Sequence, residues 1–395
     1  MTTASIPAPG QSDFSRADSV ITVDPQAVTA NWRYLDSLSG KATGTAAVVK
    51  ANAYGLGAAQ LAPHLAQAGC QTFFVMSLAE AITLRTVLNE TGHTGCDIAV
   101  LGGCHSGQED DFITFNIIPV INNLAQLTRL ARTGQQQQQP VKVALHIDTG
   151  MTRLGLDADE ARWLQDRLAG DGSTVLDGLS PWLLMSHLSA AEDLSDPANA
   201  RQLVTFSALT RQFPAMPCSL ANSGGALKGP AFHFQMTRPG IALYGLHPAD
   251  TRLARQQTDQ ANRLSPAVRW DARILQIRSA KSGDAVGYNG THTLQRNSRI
   301  ATIGVGYADG YRRQLGGRAR VGIAGSTAPV IGRVSMDSIT VDVTDIAASA
   351  LEDVETATLL GADYDLPEMA RDADTIGYEI LTRLGQRPVW RYLPA

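Results

Sequence analysis

The feature that most constrains this chain is an alternation. Short apolar runs suited to buried strands take turns with stretches whose apolar residues recur at helical spacing, from Thr45-Ala46-Ala47-Val48-Val49 as far as Phe234 to Arg238. The strand-like runs between those ends are Thr72-Phe73-Phe74-Val75-Met76, Ile98-Ala99-Val100-Leu101, Ile117-Ile118-Pro119-Val120, Val141 to Ile147, Trp182-Leu183-Leu184-Met185 and the run ending at Leu220. Helical spacing fills Ala58 to Ala68, Leu78 to Leu88, Leu124 to Ala131, Asp157 to Leu168 and Ala198 to Gln212. About eight such units in roughly 240 residues match a closed (β/α)8 barrel, which typically takes about 250, better than an open sheet. The five glutamines 135–139 interrupt the pattern and read as a solvated loop insertion without chemistry.

Past about Asp250 the texture changes. Val268 to Ile277, Arg299 to Val305, Ala319 to Ile331 and Ser338 to Val343 are strand-like and separated by Gly, Asp and Ser turns, with one helical stretch, Thr375 to Leu384, near the end. A chain of 395 residues also exceeds the length at which a single core keeps growing. The expected organisation is therefore α/β: a flexible N-terminal tail over 1–18, a TIM-like (β/α)8 barrel over 19–250 and a β-rich C-terminal domain over 251–395.

A formal charge of −4 supplies no basic field for nucleic acid or an anionic membrane, and no apolar run approaches the length of a membrane span. A small diffusible ligand is the default partner. The first eighteen residues lack the basic start and apolar stretch of an export signal, and Cys70, Cys96, Cys104 and Cys218 form neither a Cys-x-x-Cys pair nor a dense disulfide framework. Reduced thiols and a cytoplasmic location are expected. Cys104-His105 has no partner pair at tetrahedral spacing, so no metal is expected.

Within the barrel half, chemistry centres on Thr45 to Gly57, where an apolar run ends on Lys50 and opens into a glycine-broken turn. Most lysines after such runs are solvated strand ends. One whose stem lies in apolar surroundings loses its preference for the ammonium form, and the freed amine can attack an aldehyde. In a barrel the reactive groups collect just after the strands, so those positions are the ones to interrogate. They hold Asp148 and Arg153 beyond Ile147, His187 beyond Met185, the turn Asn222-Ser223-Gly224-Gly225 beyond Leu220, and Arg238-Pro239-Gly240-Ile241 at the last strand. A small-residue turn opening a short helix can hold a phosphate dianion through backbone N–H groups and a hydroxyl. Taken singly, these are an Asp–Arg pair capping a helix, a core histidine, ordinary turn chemistry and a surface ion pair.

Their ordered combination resembles the alanine racemases. Val48-Val49-Lys50-Ala51-Asn52-Ala53-Tyr54-Gly55-Leu56-Gly57 is similar to that family's pyridoxal-phosphate (PLP) lysine motif. Asp148-Thr149-Gly150-Met151-Thr152-Arg153-Leu154-Gly155 resembles a second signature, Gly287-Tyr288-Asn289-Gly290-Thr291 the segment with the catalytic tyrosine, and the likeness runs from about Asp18 to Tyr392. The resemblance implies PLP bound through Lys50, with Tyr54, Asn222, Ser223, Gly240, Ile241 and Tyr378 about its phosphate, His187 packed on its ring and Arg238 donating to its pyridine nitrogen. It implies Arg153 on the substrate carboxylate, Met336 and Asp337 lining the substrate side and Tyr307 guarding the entry. It also implies a head-to-tail homodimer in which the tyrosine base and the methionine strip come from the partner subunit.

An arginine cannot give up its proton, so a nitrogen facing Arg238 would stay unprotonated and the cofactor would be a restrained electron sink, which suits return of a proton to the same carbon. Racemisation passes through a planar carbon, so acid–base groups are needed on opposite sides. Lys50 serves one side. Tyr288 serves the other, its phenol needing a nearby charge such as Arg153 to work near neutrality. One position departs from the pattern: many members carry a carbamylated lysine two residues before the aspartate, where this chain has His146. His146, with a bound anion or water, is expected to replace it as hydrogen-bond partner of Arg153.

The expected function is PLP-dependent interconversion of L- and D-alanine by Lys50 and Tyr288, supplying D-alanine for peptidoglycan as the resemblance implies. One alternative is racemisation of serine or a broader set of amino acids. From a different class, a non-catalytic PLP-carrying protein would keep Lys50 and the phosphate turn but have no use for Tyr288, Arg153 and a whole β domain.

Overall fold

The chain divides into two units, Val28–Leu264 and Met1–Ala27 with Ser265–Ala395. This structure, a computed structural model, describes residues 6–170, 174–193, 195–249 and 263–394. After a first strand β1 (Ser19–Val23), which belongs to the second unit, the alternating region forms β2 (Gly44–Thr45) and β3 (Ala47–Val48), one strand interrupted at Ala46. There follow β4 (Thr72–Val75), β5 (Asp97–Val100), β6 (Ile118–Ile121), β7 (Val141–His146), β8 (Leu179–Met185), β9 (Cys218–Ser219) and β10 (Met236–Thr237). Strands β3 to β9 are parallel neighbours in sequence order, and β10 pairs in parallel with β2, Met236 opposite Gly44. Between β9 and β10 the Gln235 N–H donates to the Cys218 carbonyl at 3.0 Å and the Arg238 N–H to the Ala221 carbonyl at 2.9 Å. The ring of parallel strands is therefore closed, as the alternation predicts.

Closure explains the composition of the strands. Every residue of β4 and β6 is buried, because a parallel barrel strand faces a packed interior on one side and helices on the other. The helices start where a side chain satisfies their free N–H groups: Ser77 and Glu80 form a reciprocal capping box on Leu78–Glu90, Asn123 accepts from Gln126 N–H at 2.9 Å, and Asp157 caps Ala158–Leu168. The glutamine run differs from the sequence reading at its start. Gln135 and Gln136 continue the helix Leu124–Gln136, and the chain leaves it only afterwards, with Gln138 at φ 53°.

The second unit is a smaller antiparallel ring. Its strands are β11 (Val268–Ala280), the short pair β12 (Ala285–Val286) and β13 (His292–Thr293), β14 (Ser298–Ile303), β15 (Arg320–Ile323), β16 (Ser326–Ile331), β17 (Ile339–Asp342), β18 (Thr356–Leu360) and β19 (Val389–Tyr392). The order β14-β17-β16-β15-β18-β11 closes on itself because β11 also pairs with β14. At 13 residues β11 is long enough to serve both neighbours, bending through register shifts at Trp270/Asp271 and Ile274/Gln276.

Two expectations for the start of the chain are corrected here. Residues 19–23, read with the barrel, form β1 of the antiparallel sheet, paired with β11 on one side and β19 on the other; both neighbours lie hundreds of residues away in sequence. The tail 1–18 is anchored over its described part: Ile6 and Phe14 are buried, and Arg391 Nη1 donates to Asp13 at 2.8 Å. The boundary expected at 250/251 lies outside the described residues.

Candidate active site

Lys50 follows β3 at its carboxyl end. The next four residues, Ala51, Asn52, Ala53 and Tyr54, all sit in the left-handed region at φ 51°, 55°, 55° and 56°. The sequence places the break at the glycines, but the turn is made by side-chain-bearing residues, at about 1–2 kcal/mol each. Ala53 N–H donates to the Val49 carbonyl and Gly55 N–H to the Ala51 carbonyl, both at 2.8 Å. Asn52 Oδ1 accepts the Ala58 N–H at 2.8 Å, and Glu80 Oε1 accepts the Ala51 N–H at 2.6 Å. Lys50 itself is half-buried. Burial, and next the charge of Arg153, lower its pKa from the usual lysine value, opposed by the charge of Glu80. A less cationic amine at a barrel mouth is suited to forming a carbonyl adduct.

Tyr54 ends that turn buried, its ring 5.0 Å from that of Tyr244. Its hydroxyl lies so near Gly240 that a Cβ at 240 would stand 2.3 Å from it, so a larger residue there would have to push the Tyr54 side chain aside. Ser223 Oγ accepts the N–H groups of Gly240 and Ala242 at 2.9 and 3.3 Å, with the buried Ile241 between them. Asn222 opens the short helix Ser223–Lys228 by accepting the Gly225 N–H at 3.1 Å. A phenol, a hydroxyl and a glycine backbone thus meet in one cradle, the donor set a phosphate needs.

Arg238, only 3% exposed, follows β10. Its Nη2 donates to the Ser186 carbonyl at 2.6 Å, its Nη1 to the Ser219 hydroxyl, and its guanidinium lies 5.9 Å from the centre of the Phe74 ring. Burial lowers its pKa to about 9, still a cation at neutrality. No carboxylate forms an ion pair with it among the described residues. A buried cation held only by neutral acceptors retains its appetite for one more. Together with the cradle and the weakened Lys50 ammonium, this donor set fits PLP, which carries an aldehyde, a phosphate and a ring nitrogen.

Beyond β7, Asp148 shapes the loop. Its Oδ1 accepts the N–H groups of Gly150 and Met151 at 2.9 and 2.8 Å and its Oδ2 that of Thr152 at 2.8 Å, so it organises the backbone and does not pair with Arg153. Arg153 stands exposed at the far side of this loop. His146 is buried, with Nδ1 2.8 Å from Asn122 Oδ1. Burial, followed by the Arg238 charge, lowers its pKa to about 4, so the imidazole is neutral. Among the described residues no direct hydrogen bond joins His146 to Arg153; the Nδ1 side of the ring is engaged by Asn122. His187 is half-buried, its pKa driven well below the ordinary value by burial and then by Arg238. Gln202 Nε2 donates to the His187 carbonyl at 2.9 Å and fixes its backbone.

The remaining expected residues lie in the second unit. Tyr288 begins a 3-10 turn flanked by Gly287 at φ 72° and Asn289 at φ 61°, and is 69% exposed. Gly332, at φ 68°, comes so close to the Val286 carbonyl that a Cβ would lie 3.0 Å from its oxygen. That close approach sets the Tyr288 turn beside the stretch leading to Ser335-Met336-Asp337. Tyr307 N–H donates to the Ser335 carbonyl at 3.0 Å and Ala308 N–H to the Met336 carbonyl at 3.1 Å. Arg387 grips Asp309 at 2.8 and 2.7 Å and Asp337 at 2.6 Å, tying the two loops together. Gly385 N–H donates to the Asp309 carbonyl at 2.8 Å and brings in the segment after Gly377–Thr382, which carries the half-buried Tyr378. Tyr288, Tyr307, Met336, Asp337 and Tyr378 thus occupy neighbouring segments of one unit. Lys50, Tyr54, Arg153, His187, Asn222, Ser223, Arg238, Gly240 and Ile241 occupy the strand ends of the other.

Sequence reasoning missed Glu80, Asn122, Gln202 and Arg387. Glu80 leaves a signal, the Ser77-x-x-Glu80 capping-box spacing directly after a strand. Asn122, Gln202 and Arg387 act on His146, His187 and Asp309, which lie 24, 15 and 78 residues away, where no local pattern reports them.

A closed parallel barrel with a weakened strand-end lysine, a phosphate cradle and a buried unpaired arginine, followed by a β-rich unit, defines a class: a PLP-dependent isomerase of amino acids. Known proteins narrow it. The models of the alanine racemase N-terminal and C-terminal domains match residues 23–248 and 267–392. The alanine racemase of Acidiphilium cryptum is 46% identical over 368 residues, 93% of this chain and 96% of the relative. That of Rhodospirillum rubrum is 40% identical over 377 residues, 95% and 96% of the two chains. Among solved structures, alanine racemase from Bartonella henselae with covalently bound pyridoxal phosphate matches at a TM-score of 0.86 and 36% identity, covering 95% of this chain and 100% of that one. The chain belongs to the alanine racemase family.

Proposed function

We propose that this chain interconverts L- and D-alanine on PLP held at Lys50, with Lys50 and Tyr288 as the two acid–base groups. The observation that carries the reading is the set of groups at the barrel's strand ends: the half-buried Lys50, its ammonium disfavoured by burial and by the Arg153 charge, the Tyr54–Ser223–Gly240 cradle, and the buried Arg238 cation. When bound, PLP supplies a conjugated ring that spreads the electron pair left on the α-carbon. Tyr54, Ser223 and Gly240, with Asn222, Ile241 and Tyr378, would hold its phosphate. Arg238 would face the ring nitrogen and, keeping its own proton, would restrain the sink. Arg153 takes the substrate carboxylate. Lys50 moves the α-proton on one side, and Tyr288 on the other.

Tyr288, Tyr307 and Met336 are 69%, 45% and 52% exposed on neighbouring loops. Large apolar side chains clustered in the open mark a surface meant to be covered. They complete the site of a second copy, so the active species is a homodimer with two shared sites. Four buried free cysteines suit a reducing compartment, the cytoplasm, where D-alanine would feed peptidoglycan. The test is a panel of L-amino acids offered to the purified holoenzyme with product chirality read out. L-alanine should turn over fastest; faster turnover of serine, or no racemisation, overturns the proposal.

A further inference from the structure

Glu80 has no part in the chemistry above, yet it joins the turn after Lys50 to the neighbouring strand. Its Oε2 accepts the N–H groups of Met76 and Ser77 at 2.8 and 3.0 Å, just beyond β4, while its Oε1 accepts the Ala51 N–H at 2.6 Å. Ser77 answers by accepting the Glu80 N–H at 3.3 Å, which starts the helix Leu78–Glu90. A carboxylate gripped on one oxygen by two strand-end N–H groups presents the other in a fixed direction. Ala51 is the first residue of the left-handed run and is exposed, so water could satisfy its N–H but could not fix its orientation.

We infer that Glu80 is a positioning residue for Lys50: by clamping the Ala51 N–H to the end of β4 it sets the backbone from which the lysine side chain projects. The inference rests on the reading of Lys50 as the PLP lysine. Three N–H groups converge on two anionic oxygens, a pattern glutamine cannot reproduce because it offers one oxygen and would turn an NH2 toward other donors. Aspartate keeps the charge but is one carbon too short to span both sites.

The test adds PLP alone to the apo-protein and follows the absorbance of the lysine-linked cofactor across pH, with thermal unfolding of each variant alongside. Glu80→Gln should slow uptake at its plateau about tenfold or more, as loss of a charged hydrogen bond implies. Its midpoint should also move to lower pH, because the Glu80 charge opposes the lowering of the Lys50 pKa. Glu80→Asp should slow uptake with the midpoint kept. Ser77→Ala, which removes the helix cap but no acceptor of Ala51, should lower Tm and leave both uptake parameters at wild type. Wild-type plateau and midpoint in Glu80→Gln, or the same slowing in Ser77→Ala, would overturn the inference; if Glu80→Gln does not fold, Glu80→Asp against Ser77→Ala decides. Absence of lysine-linked absorbance in the wild type is a separate result, one that removes the PLP role of Lys50 itself.

Discussion

The two units hold their functional residues in opposite ways. In the barrel, Arg238, Tyr54, His146 and Ser223 are buried, and their ionisation or orientation is set by surroundings within the same unit. In the β-rich unit, Tyr288, Tyr307 and Met336 stand in solvent on loops braced from behind by Gly306, Gly332 and Arg387. A cofactor that must be gripped for many turnovers calls for desolvated, preorganised partners; exposed groups held on braced loops suit contact with a surface outside their own unit, as the proposed second copy would supply. The lesson is that burial marks the barrel residues proposed to hold the cofactor, and exposure those proposed to meet a second copy.

The widest break of that contrast is Lys50→Ala. It should abolish the absorbance of lysine-linked PLP and lower racemisation by about 10⁴-fold or more, read by spectrum and by product chirality. Next, Tyr288→Phe should bind PLP with the wild-type spectrum yet lose about 10²–10⁴-fold in kcat. Normal turnover in that variant would end the two-base assignment. Gly240→Ala forces a Cβ to 2.3 Å from the Tyr54 hydroxyl. Overpacking of this kind costs about 1–3 kcal/mol, expected as a lower Tm and weaker PLP retention in dialysis.

A smaller effect sharpens the barrel side. His146 has a folded pKa of about 4, below the unfolded value of 6.5. The unfolded chain therefore binds the extra proton first, and the stability due to the neutral ring is complete above the unfolded pKa and drains away as pH falls from there toward the folded one. Between about pH 7 and pH 5 the loss should be about 2 kcal/mol in denaturant unfolding, and His146→Asn should flatten that slope. The mildest readout concerns the β-rich side. An equal mixture of inactive Lys50→Ala and Tyr288→Phe protomers should recover about a quarter of wild-type activity if sites are shared in a dimer, since half the dimers are mixed and each of those has one intact site. No recovery after subunit exchange would place each site within one chain.

The sequence by itself determined the barrel, because a parallel strand buried on both faces must be written as a continuous apolar run, and the helix between runs must show its own period. It likewise pointed to positions worth interrogating, since Lys50, His187 and Ser223 follow such runs closely, with Arg153 in the loop beyond one and Arg238 at the end of another. Only the tertiary structure decided the rest. The strand Ser19–Val23 reads like barrel sequence but joins β11 and β19, a pairing between ends of the chain that no local pattern encodes. His146 stands two residues from Asp148 yet turns its Nδ1 to Asn122, and Glu80 closes the lysine turn from the next helix. Periodicity and motif spacing report what a residue does to its own segment; hydrogen bonds across tens of residues, and the pKa shifts that burial imposes, exist only once the chain has closed.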